Sequence, residues 1–259
     1  GLVVHGSNGE PVLLRHEERT RVLAAVRARV PRDRLILAGS GCEGNWNPTP
    51  FPEGFLTLPH RVNQGPLNPK VALLLGTSYQ RGPVPQGPHQ KLTQIAGPPF
   101  FLRSRPGKPS FDLPLDSIVA LSHHLNVIGV KDSGGDVTKM AQIVHLTRGQ
   151  DFQVLAGSAS FLYPTGAVGG VCALANVLGA EVCELARLSR EGRHEEAREL
   201  QLRLIRPNAA VTKRFGVAGL KRSLEWFGFY GGPCRWPLQP LEPHEEAALR
   251  ADFEADGWL

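Results

Sequence analysis

Cysteine is scarce: Cys42, Cys172, Cys183 and Cys234 are the four among 259 residues. Their spacing forms no CxxC pair and no zinc pattern, which argues against a disulfide framework and a cysteine metal centre. It points instead to a reducing compartment. Cys172 and Cys183 stand in apolar stretches, where cysteine packs as a small hydrophobe. Long hydrophobic runs are missing too. Val71–Leu75 is among the longest, far below the ~20 residues of a membrane-spanning helix, so no membrane partner is expected. Aromatics are only 7%, and no five Lys/Arg run together. The basic stripe interleaved with aromatics that marks a nucleic-acid binder is therefore absent. The nine histidines contain no HExxH. His123 and His124 are adjacent, so on a helix they diverge by about 100° and cannot share a metal. No GxGxxG follows the first apolar run, which counts against a dinucleotide fold. The opening Gly1-Leu2-Val3-Val4-His5-Gly6 has neither the charged nor the apolar region of a targeting segment and reads as the interior of a strand.

What is present is an ordinary globular composition, 41% hydrophobic and 20% charged. At this length it makes one large domain or two small ones. The excess of 29 Lys plus Arg over 24 Asp plus Glu is modest and spread out. It suits an anionic substrate and plain solubility equally.

Along the chain, strands and helices alternate. Leu2–His5 reads as a short buried strand and His16–Val30 as a helix with Val22, Val26 and Val30 on one face. Leu35–Ala38 is the next buried strand. The rhythm then breaks, because residues 44–110 hold 13 of the 22 prolines, among them Pro48, Pro50, Pro52, Pro83, Pro85 and Pro88. Proline removes a ladder donor and breaks helices, so only Val71–Leu75 and Phe100–Leu102 read as strands there, and the stretch is expected to pack poorly. From Phe111 the rhythm returns: a helix over Leu115–His124, a strand over Val127–Lys131, a helix over Val137–Thr147, and strands over Gln153–Ala156 and Val168–Leu174. After these come only helices, Leu178–Arg190, His194–Leu204, Phe215–Phe227 and His244–Phe253. Alternation implies a parallel sheet. Continuous apolar strands imply a sheet covered on both faces. The length fits a (β/α)8 barrel, with an open doubly wound sheet as the alternative.

Lys131 is the most informative residue. It ends the apolar strand Val127–Val130, and catalytic groups of barrels sit at the C-terminal ends of strands. Partial desolvation there disfavours the ammonium. A neutral amine can then attack a ketone and form a Schiff base. The plainer reading has Lys131 leave the strand into solvent and pair with Asp132. Beside it, Ser133-Gly134-Gly135 makes a small-residue turn, and Asp136 can cap the next helix. Gly6-Ser7-Asn8-Gly9-Glu10 is a second polar turn after a strand, whose amides and Ser7 hydroxyl could cradle an anion. It also fits an ordinary strand–helix loop. Ala156-Gly157-Ser158-Ala159 is the third. Three such loops and one lysine on one barrel face suit a small keto acid.

These motifs carry a resemblance. Gly6–Glu10 is similar to the carboxylate-binding turn of the dihydrodipicolinate synthase / N-acetylneuraminate lyase superfamily, and Val130–Asp136 to the strand end that bears its Schiff-base lysine. Within the superfamily, Asp151–Ser158, Val168–Ala180, Pro207–Thr212 and the tail Asp256–Leu259 resemble its mitochondrial branch that cleaves 4-hydroxy-2-oxoglutarate. The resemblance covers roughly residues 1–43 and 111–259.

It implies a TIM (β/α)8 barrel over residues 1–177, interrupted by the divergent segment 44–110. Residues 178–259 would form the last barrel helix and a C-terminal helical extension. The superfamily's first strand and helix would precede Gly1, so the barrel here is expected to be incomplete. The implied activity is that of a class I Schiff-base aldolase. It would cleave 4-hydroxy-2-oxoglutarate to pyruvate and glyoxylate in hydroxyproline catabolism, with no cofactor and no metal, as a homotetramer in the mitochondrion. Lys131 would be the nucleophile, and Ser7, Asn8, Ser133 and Gly157 would bind the substrate. Two further readings stand beside it: another pyruvate-dependent lyase or synthase, dihydrodipicolinate synthase-like or N-acetylneuraminate lyase-like, and a catalytically impaired isoform. One departure bears on the last. The superfamily places a proton-relay tyrosine on the strand before the lysine strand, and Arg103, in Arg103-Ser104-Arg105-Pro106, stands at that position. Tyr79 resembles a remnant of its other tyrosine loop.

Overall fold

The computed structural model describes residues 1–39, 71–76, 100–104 and 113–259. Cys42, Tyr79, the prolines named above and the expected poor packing of 44–110 lie outside the described residues, apart from two strands. Those two strands are found, as Val71–Gly76 and Phe100–Ser104. Two compact units divide the chain.

The first unit takes Gly1–Gly134 and His145–Gln153. It holds five strands, β1 (Leu2–Val4), β2 (Ile36–Gly39), β3 (Val71–Gly76), β4 (Phe100–Ser104) and β5 (Val127–Asp132). Each pairs in parallel with the next, in registers such as Val4↔Ala38, Ala38↔Leu73, Leu75↔Leu102 and Arg103↔Lys131. Parallel neighbours need crossover connections, so all five C-terminal ends share one edge. α1 (His16–Arg29) starts where Glu18 accepts from Arg15 N at 2.8 Å and ends where Arg27 Nη2 donates to Val30 O at 2.7 Å. Acid at its start and base at its end both complement the helix dipole. Its core residue is Leu23, packed with Val4, Ile36 and Ala38, while Val26 and Val30 are partly buried against them. Val26 and Val30 of the expected stripe thus face the core, whereas Val22 is exposed and Leu23 takes its place. β1 is likewise less buried than its composition suggests, since only Val4 is shielded. α2 (Leu115–Leu121) is shorter than expected, because the amides of His123 and His124 turn to the carbonyls three residues back, Ala120 O and Leu121 O.

β5 shows how closely its strands approach. A methyl on Gly129 would lie 2.3 Å from Gln153 O and 2.4 Å from the Phe101 ring. Neither a carbonyl nor a fully buried ring can yield that distance. Gly129→Ala is therefore expected to cost about 3 kcal/mol, the upper end for an overpacked core. A thermal melt of the variant should show the midpoint falling by roughly 6–12 °C.

The second unit takes Gly135–Val144 and Val154–Leu259. β6 (Gln153–Ala156) and β7 (Gly169–Gly170) pair in parallel. The strand expected over Val168–Leu174 shrinks to two ladder residues. From Ala173 the chain curls into a 3-10 turn that buries Leu174, and Cys172 packs as the expected small hydrophobe. Cys183 does not; it lies exposed on α4 (Gly179–Arg190), whose buried stripe is Val182, Leu185 and Leu188. α3 (Val137–Leu146) is capped as its sequence suggests, Asp136 Oδ1 accepting from Lys139 N at 2.9 Å.

α5 (His194–Ala209) runs five residues further than expected and passes through Pro207. Proline leaves the carbonyl four residues back without its donor. That carbonyl, Arg203 O, accepts instead from Trp258 Nε1 at 3.2 Å, and the Arg203 guanidinium lies 4.4 Å over the Trp258 ring. A π-turn (Ala210–Arg214) leads into α6 (Gly216–Trp226), and α7 (Pro243–Glu254) buries Leu249 and Phe253. Among the described residues no helix is long and apolar enough to cross a membrane.

Candidate active site

β5 delivers Lys131 to the C-terminal edge of the five parallel strands. Its residues are buried except Ile128 and Lys131, which are half-buried. Successive side chains of a strand point to opposite faces. Asp132, 1% exposed, accordingly turns away from Lys131, and its Oδ1 accepts from Gly134 N at 2.7 Å. This turn sets half-buried Ser133 directly after the strand end that carries Lys131. Asp132 is buried and shapes the turn, so the solvent-facing part of the plainer reading does not hold.

Ser7 and Asn8 sit on the matching turn after β1, at the same edge of the same unit. The chain gets there through a left-handed His5 (φ 63) and closes the turn on a left-handed, buried Glu10 (φ 53). Ser7–Gly9 forms one 3-10 turn in which Gly9 N donates to Gly6 O at 2.9 Å and Glu10 N to Ser7 O at 3.3 Å. The expected amide cradle is thus narrowed, because two of its five amides are spent inside the turn. The close approach behind it explains Gly39: a methyl there would lie 2.2 Å from His5 O. Arg19 Nη2 donates to Gly39 O at 2.9 Å, tying α1 to the same point.

Burial, with a smaller contribution from the Arg19 charge, holds the His5 imidazole below its ordinary range. Its Nε2 is buried and has no hydrogen-bond partner among the described residues. A histidine whose folded pKa is depressed stays neutral in the fold to lower pH than in the unfolded chain, which therefore takes up its proton first. His5 therefore has no effect above the unfolded pKa of about 6.5, and the fold loses stability as pH falls below it, down to the folded pKa. Melting midpoints between pH 7.5 and 5.5 should drop more for the wild type than for His5→Asn, since asparagine tolerates the left-handed backbone. Equal slopes would show that His5 is not the titrating group.

Gly157 follows β6 in the second unit and is half-buried. Ser158 beside it caps the short turn Ala159–Phe161. Asn208, a residue that sequence reading passed over, donates through Nδ2 to Ser158 Oγ at 2.9 Å. The only signal for it was the stretch Pro207–Thr212, which is unusual for a helix. Arg103 is found where the motif count places it, on β4, with Lys131 as its register partner on β5.

The comparisons with known proteins bear on this arrangement. The model of the dihydrodipicolinate synthetase family matches residues 85–256. A DapA-like lyase of Halobacterium salinarum is 31% identical over 264 residues, covering 100% of this chain and 83% of the relative. A 4-hydroxy-tetrahydrodipicolinate synthase of Methanothrix thermoacetophila is 28% identical, covering 96% of this chain and 83% of the relative. Among solved structures, a putative dihydrodipicolinate synthase from Thermus thermophilus superposes with a TM-score of 0.74 at 33% identity, covering 100% of this chain and 88% of that one. One from Bacillus anthracis gives 0.76 at 28%, covering 98% and 85%. The fold is accordingly the α/β barrel class with a helical C-terminal region, and the open doubly wound sheet is set aside. The glycine- and serine-lined strand ends, the lysine that closes β5 and these matches agree: the chain is an enzyme of the carbon–carbon lyase kind and belongs to the dihydrodipicolinate synthetase family.

Proposed function

We propose that this chain is a pyruvate-handling Schiff-base lyase in which Lys131 is the nucleophile. The observation that carries the reading is Lys131 itself, half-buried at the end of a mostly shielded strand, with Ser133 on the turn that Asp132 shapes. The amine adds to the keto carbon of an oxo acid and water leaves, giving a protonated imine. That imine is an electron sink, so the adjacent carbon can lose or gain a carbon partner through an enamine. Ser7 and Asn8 hold the substrate carboxylate, which aligns the keto carbon with Lys131. Ser133 and, as the resemblance of its loop implies, Gly157 complete the contacts. Nothing in these steps requires a cofactor or metal.

The substrate reading has two arms. The relatives named 4-hydroxy-tetrahydrodipicolinate synthase support a synthase-like enzyme. The residue-level resemblance of Asp151–Ser158 and Val168–Ala180 supports cleavage of 4-hydroxy-2-oxoglutarate to pyruvate and glyoxylate, in a mitochondrial setting. Assays of both reactions and of N-acetylneuraminate cleavage on one preparation separate them. Formation of 4-hydroxy-tetrahydrodipicolinate selects the first arm and glyoxylate release the second. Pyruvate neither consumed nor released in any of the three contradicts the reading. A homotetramer belongs to the same proposal, and light scattering of the purified chain measures it.

A further inference from the structure

The turn after β6 is held from fifty residues away in the chain. Asn208 lies at the end of α5 with 3% of its surface exposed. Its Nδ2 donates to Ser158 Oγ at 2.9 Å, and the same oxygen accepts from Ser160 N at 3.4 Å and lies 3.0 Å from Ser160 Oγ. The Ser158 hydroxyl thus accepts from two N–H groups and shares a third hydrogen bond with Ser160 Oγ, in which either hydroxyl can donate. Asn208 therefore ties this chain of bonds to α5. Its second polar atom, Oδ1, is buried without a hydrogen-bond partner among the described residues. A buried carbonyl left without a donor is a loss that folds carry for a reason.

The helix is irregular on both sides of this residue. Pro207 interrupts the ladder just before it, and the freed Arg203 carbonyl is taken up by Trp258. Just after it, Thr212 Oγ1 donates to Asn208 O at 2.5 Å and the chain widens into the π-turn Ala210–Arg214. A π-turn inserts a residue, shifts the direction of the side chains around it and is found preferentially at functional sites.

We propose that Asn208 is a positioning residue: its amide fixes the Gly157–Ser160 turn so that Gly157 presents its backbone to the substrate. The proposal rests on the reading that Gly157 contacts the oxo acid. Asn208→Asp keeps the volume but turns the donor into an acceptor. The carboxylate can only accept, so the Ser158 hydroxyl must turn its proton toward it, and the turn rearranges. Asn208→Ala removes the donor, and Ser158→Ala removes the group it holds.

The test is a pyruvate titration with borohydride trapping, read as the half-saturating pyruvate concentration and as the plateau of modified protein. In Asn208→Asp and Ser158→Ala, half-saturation should rise roughly five- to tenfold with the plateau unchanged. The double variant Asn208→Ala/Ser158→Ala should be no worse than the worse single, because both act through one bond. A purely structural role would lower the melting midpoint and leave half-saturation unmoved, which overturns the proposal, as would single effects that multiply. Where Asn208→Ala fails to fold, Ser158→Ala, which deletes one hydroxyl, carries the same test. A wild-type chain that traps no pyruvate at any concentration overturns the functional reading and this proposal together. A wild type that traps it, with Asn208→Asp saturating at the same concentration, overturns this proposal alone.

Discussion

Arg103→Tyr is expected to raise the turnover of this chain at least tenfold. The β4–β5 register pairs position 103 with Lys131, so whatever stands there is the lysine's neighbour on the adjoining strand. Imine formation needs a neutral amine and a held carboxylate, and a fixed positive charge on the next strand does not oppose either. Making or breaking the carbon–carbon bond needs more, because a proton must be taken from, or returned to, the substrate hydroxyl or carbonyl. A guanidinium stays protonated and cannot accept it. Positioned acid–base help is worth about 10²–10⁴-fold, so its absence slows the reaction without abolishing it. The measurement is pyruvate released or consumed in whichever of the two proposed reactions the chain performs. An unmodified chain that turns over at the order of 10 s⁻¹ of an ordinary enzyme would refute the relay argument. A tyrosine that restores nothing, in a variant that still traps pyruvate, would show that another group carries the proton.

Lys131→Met should have the larger effect in the opposite direction. Methionine nearly matches lysine in length and fills the same half-buried space, so the strand end keeps its packing. The amine is gone, and with it the covalent route proposed for the site. Removing a nucleophile typically costs several powers of ten, and a loss of at least about a thousandfold is expected here. The melting midpoint should stay within a few degrees of the wild type. Residual turnover near wild type would move the nucleophile to another residue.

Much of the arrangement could be read from the residues because its signals are local. Val127–Val130 is apolar without interruption and is followed by Lys131, so the strand and the half-buried lysine at its end are one pattern. Asp136 capping α3 and the glycine-rich turns after β1 and β5 follow from short-range hydrogen bonding in the same way. The missed features depend on partners distant in sequence. α5 continues past Leu204 because Trp258, more than fifty residues on, satisfies the carbonyl that Pro207 frees. Asn208 matters through Ser158, which no periodicity connects to it. Cys183 looks apolar by its neighbours, yet the buried stripe of its helix runs through Val182 and Leu185 instead. Gly39 and Gly129 are small for reasons that exist only once His5, Phe101 and Gln153 have been brought against them.

The central claim is that Lys131 forms an imine with pyruvate. Incubation of the full chain with pyruvate and borohydride, followed by peptide mass mapping, tests it most directly. The account predicts one reduced pyruvate adduct per chain, on Lys131, absent in Lys131→Met. An adduct on a different lysine, or none on a folded chain with Lys131 intact, would contradict it.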